Sequence, residues 1–584
     1  MQQITICYTS LVKHLIGIAL FIFLFSITFV KANDLNVDLG RQIISGGIIV
    51  NTLSIPKTNV FSYTQPSHNF TNHYWLTEVV FYFLFSIAGL TSLLVFKEIL
   101  IFLSVGFVLY YSFKKYGALA AGLPALFVFP FFLVRNVIRP ELFGYLFFSL
   151  LFVLLLTYPR SKKFVYLTPL IMLLWVNISI TFVFGVFIIV IFLFKTINYK
   201  KLTYSLKQKE VLLLLLSLGV LLINPRGIYG VLEPFFILKT PVYHLTEMKS
   251  IFAVVKDMPH PVYTYILWLI TLSPILCVYI FYRCKFILGI FLTVFLITAA
   301  LHNRNIIFFG LVLIPSCAFM ISDLVQKTFK GRLNNNLKIS VQIFLSLTLI
   351  TLSLFLINNS FYKTFDIKTK FGGGFYEDAR PATEFMEASK LSNKIFNNFN
   401  ISGYFIYKMF PEYKPFVDNR PEAYSSSFFE DTYLRALEND AHRQKVFEKY
   451  SIQTVFLQLD DGDQNARALS TVLNKNKEWR LVYLDHSIVI FSRDSRLKDL
   501  KSNPQILEKE IENKTDYLEL GKLGSNLALL GFTKLAENAI QKTEKLNPSS
   551  CNIKRLYYEY YNNSGQILQG KDLRSNNWHC FFYL

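Results

Sequence analysis

The chain has 584 residues, 53% of them hydrophobic and 58 of them Phe, with a mean hydropathy of +0.39, where an ordinary soluble domain is roughly 45–50% apolar. The formal net charge is +20, but no nucleic-acid-binding motif accompanies it. In a membrane protein, Lys and Arg gather in cytoplasmic loops and set topology, so composition excludes a soluble enzyme and argues against a nucleic-acid partner.

The excess apolar residues fall in runs without charge, such as Val211–Leu222 and Val341–Leu356. Runs of about 20 apolar residues match a hydrocarbon core of about 30 Å at 1.5 Å rise per residue. The first run, Leu15–Val30, follows Lys13 and reads as a retained span; the alternative is a secretory signal cut after Ala32. About forty mixed residues follow. Trp75–Gly89 is amphipathic and is expected along the outer interface, ahead of a span ending at Lys114-Lys115. Further spans are expected near 118–134, 140–158, 164–180, 181–196, 210–225, 262–282, 286–301, 305–322 and 338–358, about eleven in all. Lys97 and Glu98 inside the second span are expected to pair with each other or face a cavity.

Alternation with the N-terminus inside puts the crowded basic clusters in short cytoplasmic loops: Lys114-Lys115, Arg160/Lys162/Lys163, Lys195 to Lys209, Arg283/Lys285 and Lys327/Lys330/Arg332. The same alternation gathers Asp38, Glu78, Arg139, Glu141, Asn177, Glu247 and Arg304 at the outer side. Ionisable groups at membrane depth are costly and line cavities more often than they occur at random. Each taken singly reads as an interfacial residue that snorkels or caps a helix; their common side makes them candidates for a site.

From Ser360 charge rises and long apolar runs stop. A helix is predicted over Pro381–Leu391 and strands over Lys394–Phe399, Lys414–Asp418, Thr454–Leu459 and Trp479–Phe491, the last a hairpin turning at Asp485-His486. No nucleotide-binding or nucleophile-elbow motif is present. Residues 505–560 are helical and polar, with Gly531, Ala536, Ala539 and Leu546-Asn547-Pro548 at the spacing of one tetratricopeptide helix pair. One pair cannot bury its own face, so it packs on the α/β unit or offers a surface to a protein partner. Of six Cys, none shows zinc-ligand spacing; Cys551 and Cys580 could bridge outside the cytoplasm, but unpaired thiols are the expectation.

The fold class is therefore an α-helical polytopic membrane bundle followed by a small soluble α/β domain and a helical tail, with domains at 1–358, 359–498 and 499–584. The expected location is the inner (cytoplasmic) membrane, multi-pass, with the C-terminal domain outside.

Several motifs together resemble a known family: Asp38-Leu39-Gly40, Pro56-Lys57-Thr58-Asn59, His73-Tyr74-Trp75-Leu76-Thr77-Glu78, Arg139-Pro140-Glu141, Trp175-Val176-Asn177, Asn224-Pro225-Arg226-Gly227, Thr246-Glu247 and Arg304-Asn305, then Ser402-Gly403-Tyr404 and Asp418-Asn419-Arg420. Over about residues 33–495 the chain is similar to the C-type (GT-C) glycosyltransferase superfamily. That resemblance implies a polyprenyl-phosphate-sugar donor entering from the membrane and Asp38 as catalytic base. It also implies Glu78, Arg139, Glu141, Glu247 and Arg304 around the substrate, the arginines for the phosphate and the acids for assistance or a divalent cation. Where the family usually has Trp-His after the first Asp, this chain has Arg41-Gln42; Asn59 stands where Asp is usual, and Asn177-Ile178-Ser179 where Asn-x-His is common. Two function classes stay open: an enzyme using a lipid-linked sugar, and a non-catalytic membrane scaffold whose tail binds partners or glycans. A transporter ranks last, because no internal repeat is visible.

Overall fold

The computed structural model describes residues 2–70, 72–158, 163–198, 203–204, 208–239, 248–257, 260–328, 335–460, 463–548, 550–563, 569, 572 and 574. The chain folds into two compact units: residues 1–31, 73–361 and 370–374 form one, and residues 32–72, 362–369 and 375–584 the other.

The first unit is helical apart from a short antiparallel pair, β1 (Ile197–Asn198) with β2 (Thr203–Tyr204). Among the described residues, four helices are long and apolar enough to cross a membrane: Trp75–Tyr116, Pro261–Tyr282, Asn303–Thr328 and Asn336–Ile357. Six shorter apolar helices accompany them, from His14–Thr28 to Phe286–Leu301. The Trp75–Tyr116 helix is not continuous. Ala88 and Gly89 leave helical geometry, Gly89 at φ 61° and ψ −152°, which only a residue without Cβ adopts freely. The amphipathic stretch before that break is thereby a separate helix from the apolar stretch after it.

Phenylalanine builds the core of this unit. Phe148 packs on Phe295 at 4.7 Å and on Phe308 at 5.3 Å, Phe152 on Phe291 at 4.7 Å, and Phe184 on Phe308 at 4.7 Å. Edge-to-face and tilted pairs of this kind add to plain burial. Lys97 and Glu98 do pair, at 3.3 Å, and Thr28 completes the set: its carbonyl accepts from Lys97 Nζ at 2.8 Å and its hydroxyl donates to Glu98 at 2.5 Å. Two charges buried among apolar helices are thus neutralised by each other and by one helix end.

The second unit holds a four-stranded sheet of β3 (Ile395–Asn397), β4 (Thr454–Gln458), β5 (Arg480–Leu484) and β6 (Ile488–Ser492), in the order β3-β4-β6-β5. Only the β3–β4 pairing is parallel. The β5–β6 hairpin turns at Asp485-His486 as its sequence predicts: Asp485 Oδ1 accepts from the Ser487 and Ile488 amides, both at 2.7 Å. The strand expected at Lys414–Asp418 does not form. Side chains take the place of a ladder there. Asn397 accepts from the Phe416 amide at 2.8 Å and donates to the Val417 carbonyl at 2.9 Å, while Ser62 and Thr64 donate to the Phe416 carbonyl.

Segment 32–72 is woven into this second unit. Tyr63 donates to the Ile395 carbonyl at 2.7 Å, and Asn59 donates to the Ala423 carbonyl at 3.2 Å. Its helix Leu39–Thr52 crosses helix Ser402–Met409 closely enough to demand glycine on both sides: a Cβ on Gly40 would lie 2.7 Å from Tyr407 Cβ, and one on Gly403 only 1.6 Å from the Val37 carbonyl oxygen. The tail helices Gln505–Asn513, Tyr517–Leu529, Thr533–Leu546 and Cys551–Asn563 follow. They pack on the α/β unit through Asn526 to the Asp485 carbonyl at 3.1 Å and Lys522 to Asp460 at 2.7 Å. Cys551 is disulfide-bonded, which corrects the expectation of unpaired thiols; spacing alone does not reveal a bridge.

Candidate functional site

Asp38 occupies the N-cap position of helix Leu39–Thr52, with φ −106° and ψ −35°, yet its side chain caps nothing. An N-cap side chain normally accepts from the second or third helical amide. Here the carboxylate is drawn away: Asn419 Nδ2 donates to Asp38 Oδ1 at 2.7 Å and to the Val37 carbonyl at 2.5 Å. Arg41 Nε donates to Asn419 Oδ1 at 2.9 Å, and Arg41 Nη2 lies 3.5 Å from Asp38 Oδ1. The Asp38 side chain keeps 21% exposure while that of Arg41 keeps 6%. The result is an oriented carboxylate that still reaches solvent.

Asn419 is itself held by its neighbours. Arg420 grips Asp418 with two parallel bonds of 2.8 Å, and Tyr424 donates to the same carboxylate at 3.0 Å. The guanidinium is stacked between Phe61 and Phe70, 4.9 and 4.6 Å from the ring centres, and bonds Asn59 Oδ1 at 2.9 Å. Burial alone would lower the Arg420 pKa; the Asp418 carboxylate outweighs it and raises it. Burial, then Asp418, pushes the Tyr424 hydroxyl well above its ordinary value. The Asp418-Asn419-Arg420 motif therefore serves as a buried clamp whose middle residue faces Asp38.

Asn59 is the departure from the family pattern that this clamp explains. Its Oδ1 accepts from Arg420 and its Nδ2 donates to the Ala423 carbonyl. Asn59→Asp keeps the first bond and sets a carboxylate oxygen against the carbonyl. The variant is expected to lose about 1–3 kcal/mol, read as a lower unfolding temperature of the purified protein; wild-type stability would refute this role.

In the first unit, Glu141 opens helix Glu141–Thr157, where the helix dipole favours an acid. Arg304 lies in the short turn Asn303–Asn305 and bonds Glu141 at 2.5 Å. Arg304 also reaches Met248 Sδ at 3.7 Å. Glu78 is 1% exposed in the first turn of its helix. Beside it Trp75 donates to Asn177 at 3.0 Å and Thr77 to the Ile178 carbonyl at 2.9 Å. One turn on, Phe81 stacks on Phe143 at 6.5 Å. Glu78, Asn177, Glu141 and Arg304 thus share one end of this unit. Arg139 is half-buried, two residues before Glu141. Glu247 lies outside the described residues.

Sequence reading missed Arg135 and Asn419 as site components. Arg135 is 4% exposed and lies near enough to the Tyr145 hydroxyl to act on it, as Glu141 and Arg304 also do. Its signal was a second arginine four residues before Arg139 in a short connection between apolar helices. Such a set of guanidiniums suits a phosphate, which Arg binds in bidentate fashion; Arg304 would have to loosen its hold on Glu141 to do so.

The sequence matches no protein-family model and no curated protein. Among solved structures the chain is similar to ArnT from Cupriavidus metallidurans in the apo state, at 12% identity and a TM-score of 0.50, covering 84% of this chain and 98% of that one. The chain has an ArnT-like fold. ArnT from the same organism bound to undecaprenyl phosphate aligns at 13% identity and a TM-score of 0.47, over 83% of this chain and 98% of that one. With this fold and its apolar helices, the chain is a multi-pass membrane protein.

Proposed function

We propose that this protein is an integral membrane glycosyltransferase of the inner membrane, moving a sugar from a polyprenyl-phosphate donor to an extracytoplasmic acceptor. The observation that carries the reading is Asp38: a carboxylate at a helix N-cap that does not cap, is aimed by Asn419 and Arg41, and stays part-exposed. Such a group can take a proton from an acceptor hydroxyl. Arg139 and Arg304 are assigned to the donor phosphate and Glu78, Glu141 and Glu247 to substrate positioning or a divalent cation. An apolar crevice of about 240 Å³ in the first unit, lined by residues including Phe23, Ile27, Pro130, Leu133, Tyr265 and Phe355, has the chemistry for a prenyl chain. The test is sugar transfer by purified protein from a radiolabelled polyprenyl-phosphate sugar, with Asp38→Asn beside it.

A second reading, a non-catalytic scaffold whose tail engages partners or glycans, has its own support. Three positions that depart from the family pattern are spent on internal bonds: Arg41 on Asn419 and Asp38, Asn59 on Arg420, and Ser179 on Thr181. Absence of transfer from every donor offered favours it.

Either reading places the second unit outside the cytoplasm, on the strength of the loop lysines and of the bonded Cys551, since disulfides persist in oxidising compartments. A reporter fused to the C-terminus is expected to be active only outside; a cytoplasmic signal would overturn that topology.

A further inference from the structure

His486 sits in the β5–β6 turn with its side chain 7% exposed, and among the described residues neither ring nitrogen has a hydrogen-bond partner. Buried polar atoms are almost always satisfied, so a doubly orphaned imidazole calls for a missing partner. Its Nε2 faces two carboxylates from distant parts of the chain: Asp378 Oδ1 at 3.7 Å, just before helix Arg380–Ala388, and Glu519 Oε1 at 4.0 Å, in the first turn of helix Tyr517–Leu529. Both separations are too long for hydrogen bonds, which run about 2.7–3.2 Å. The three donor atoms lie within 4.8 Å of one another. Ligands about 2.0–2.2 Å from a tetrahedral ion stand roughly 3.3–3.6 Å apart, so a small inward movement would close the set.

The outer oxygens of both acids are already held. Lys368 bonds Asp378 Oδ2, and Lys514 Nζ bonds Glu519 Oε2 at 2.9 Å. Each lysine fixes its carboxylate from behind and leaves Oδ1 and Oε1 turned to the imidazole, the arrangement by which hydrogen-bonded carboxylates are oriented as ligands. We propose that Asp378, His486 and Glu519 form a divalent metal site of the zinc class, clipping the first long tail helix to the β5–β6 turn and to the entry of helix Arg380–Ala388. One imidazole with two carboxylates suits zinc and its transition-metal neighbours, whereas calcium and magnesium favour oxygen alone. A water completes the fourth position. The site is separate from Asp38 and its clamp in role: it secures the tail.

The experiment uses the full-length chain in detergent, stripped with a chelator and titrated with Zn²⁺ by calorimetry, with Co²⁺ absorption as the report of tetrahedral geometry. One equivalent is expected to bind, and chelation is expected to lower the unfolding temperature. His486→Gln and Glu519→Gln are each expected to weaken Zn²⁺ binding by more than the roughly 100-fold seen when outer-shell partners are removed. Glu519 is 29% exposed on its helix, so its variant keeps the test open where His486→Gln fails to fold. Zinc bound equally by wild type and both variants would be adventitious, on thiols such as the exposed Cys284, and would overturn the proposal. So would failure to bind one equivalent, which would leave the three groups as a histidine–carboxylate ion cluster.

Discussion

Asp38→Asn is expected to lower sugar transfer by about 10²–10⁴-fold, the usual worth of a positioned acid–base group, with little change in unfolding temperature. The amide cannot take a proton, but it can still accept the bond that Asn419 Nδ2 makes to Oδ1 at 2.7 Å. Its pairing with Arg41 at 3.5 Å, with the Asp38 side chain 21% exposed, is weakened; a part-exposed pair of that kind is worth roughly 0–1 kcal/mol. A helix-capping role would give no such split, and the structure removes that alternative, since Asp38 makes no cap bond to helix Leu39–Thr52. The measurement is initial rate with a radiolabelled polyprenyl-phosphate sugar, set beside thermal unfolding in the same detergent. Transfer that survives the substitution would remove Asp38 as base and pass that role to another group, whereas absence of transfer in the wild type as well would leave the scaffold reading.

The part of this molecule legible from its sequence is the part written in local periodicity and composition. Apolar runs mark the helices of the first unit, and short β-branched and aromatic runs mark β4 and the β5–β6 hairpin, with β4 and β6 buried at every position. Of the two expectations for the charged pair in the second apolar run, pairing or facing a cavity, Lys97 and Glu98 take the first. What stayed hidden depends on contacts far apart in the chain. Asn419 lies 381 residues from Asp38, and no local pattern links them. The 414–418 stretch has strand-like residues, but Asn397, Ser62 and Thr64 claim its backbone before any strand can. Glu141 and Arg304 were grouped by side, while their mutual bond, which occupies the very arginine assigned to a phosphate, needed coordinates. The Asp378, His486 and Glu519 cluster is likewise assembled from three separate segments, with none of the short spacing by which metal sites announce themselves.

Gly403→Ala is expected to cost the second unit more stability than any ordinary overpacking, which runs about 1–3 kcal/mol. The added Cβ would sit 1.6 Å from the Val37 carbonyl oxygen and 2.5 Å from its carbon. No rotamer change relieves a clash between one backbone and another, so helix Ser402–Met409 must move away from the segment before helix Leu39–Thr52. That movement reaches the proposed base directly. The Val37 carbonyl adjoins Asp38, and Asn419 Nδ2 holds both the carbonyl and the carboxylate. Loss of transfer should therefore accompany loss of stability, whereas Asp38→Asn separates the two. Gly106→Ala is the matched control: a Cβ there meets nothing within 4 Å, inside a helix where alanine is preferred to glycine, so its unfolding temperature and activity should hold or rise. The comparison is made by thermal unfolding and transfer rate on all three variants in one detergent. A Gly403→Ala protein as stable as wild type would mean that the two helices do not cross at glycine contact, and the clamp that aims Asp38 would lose its physical basis.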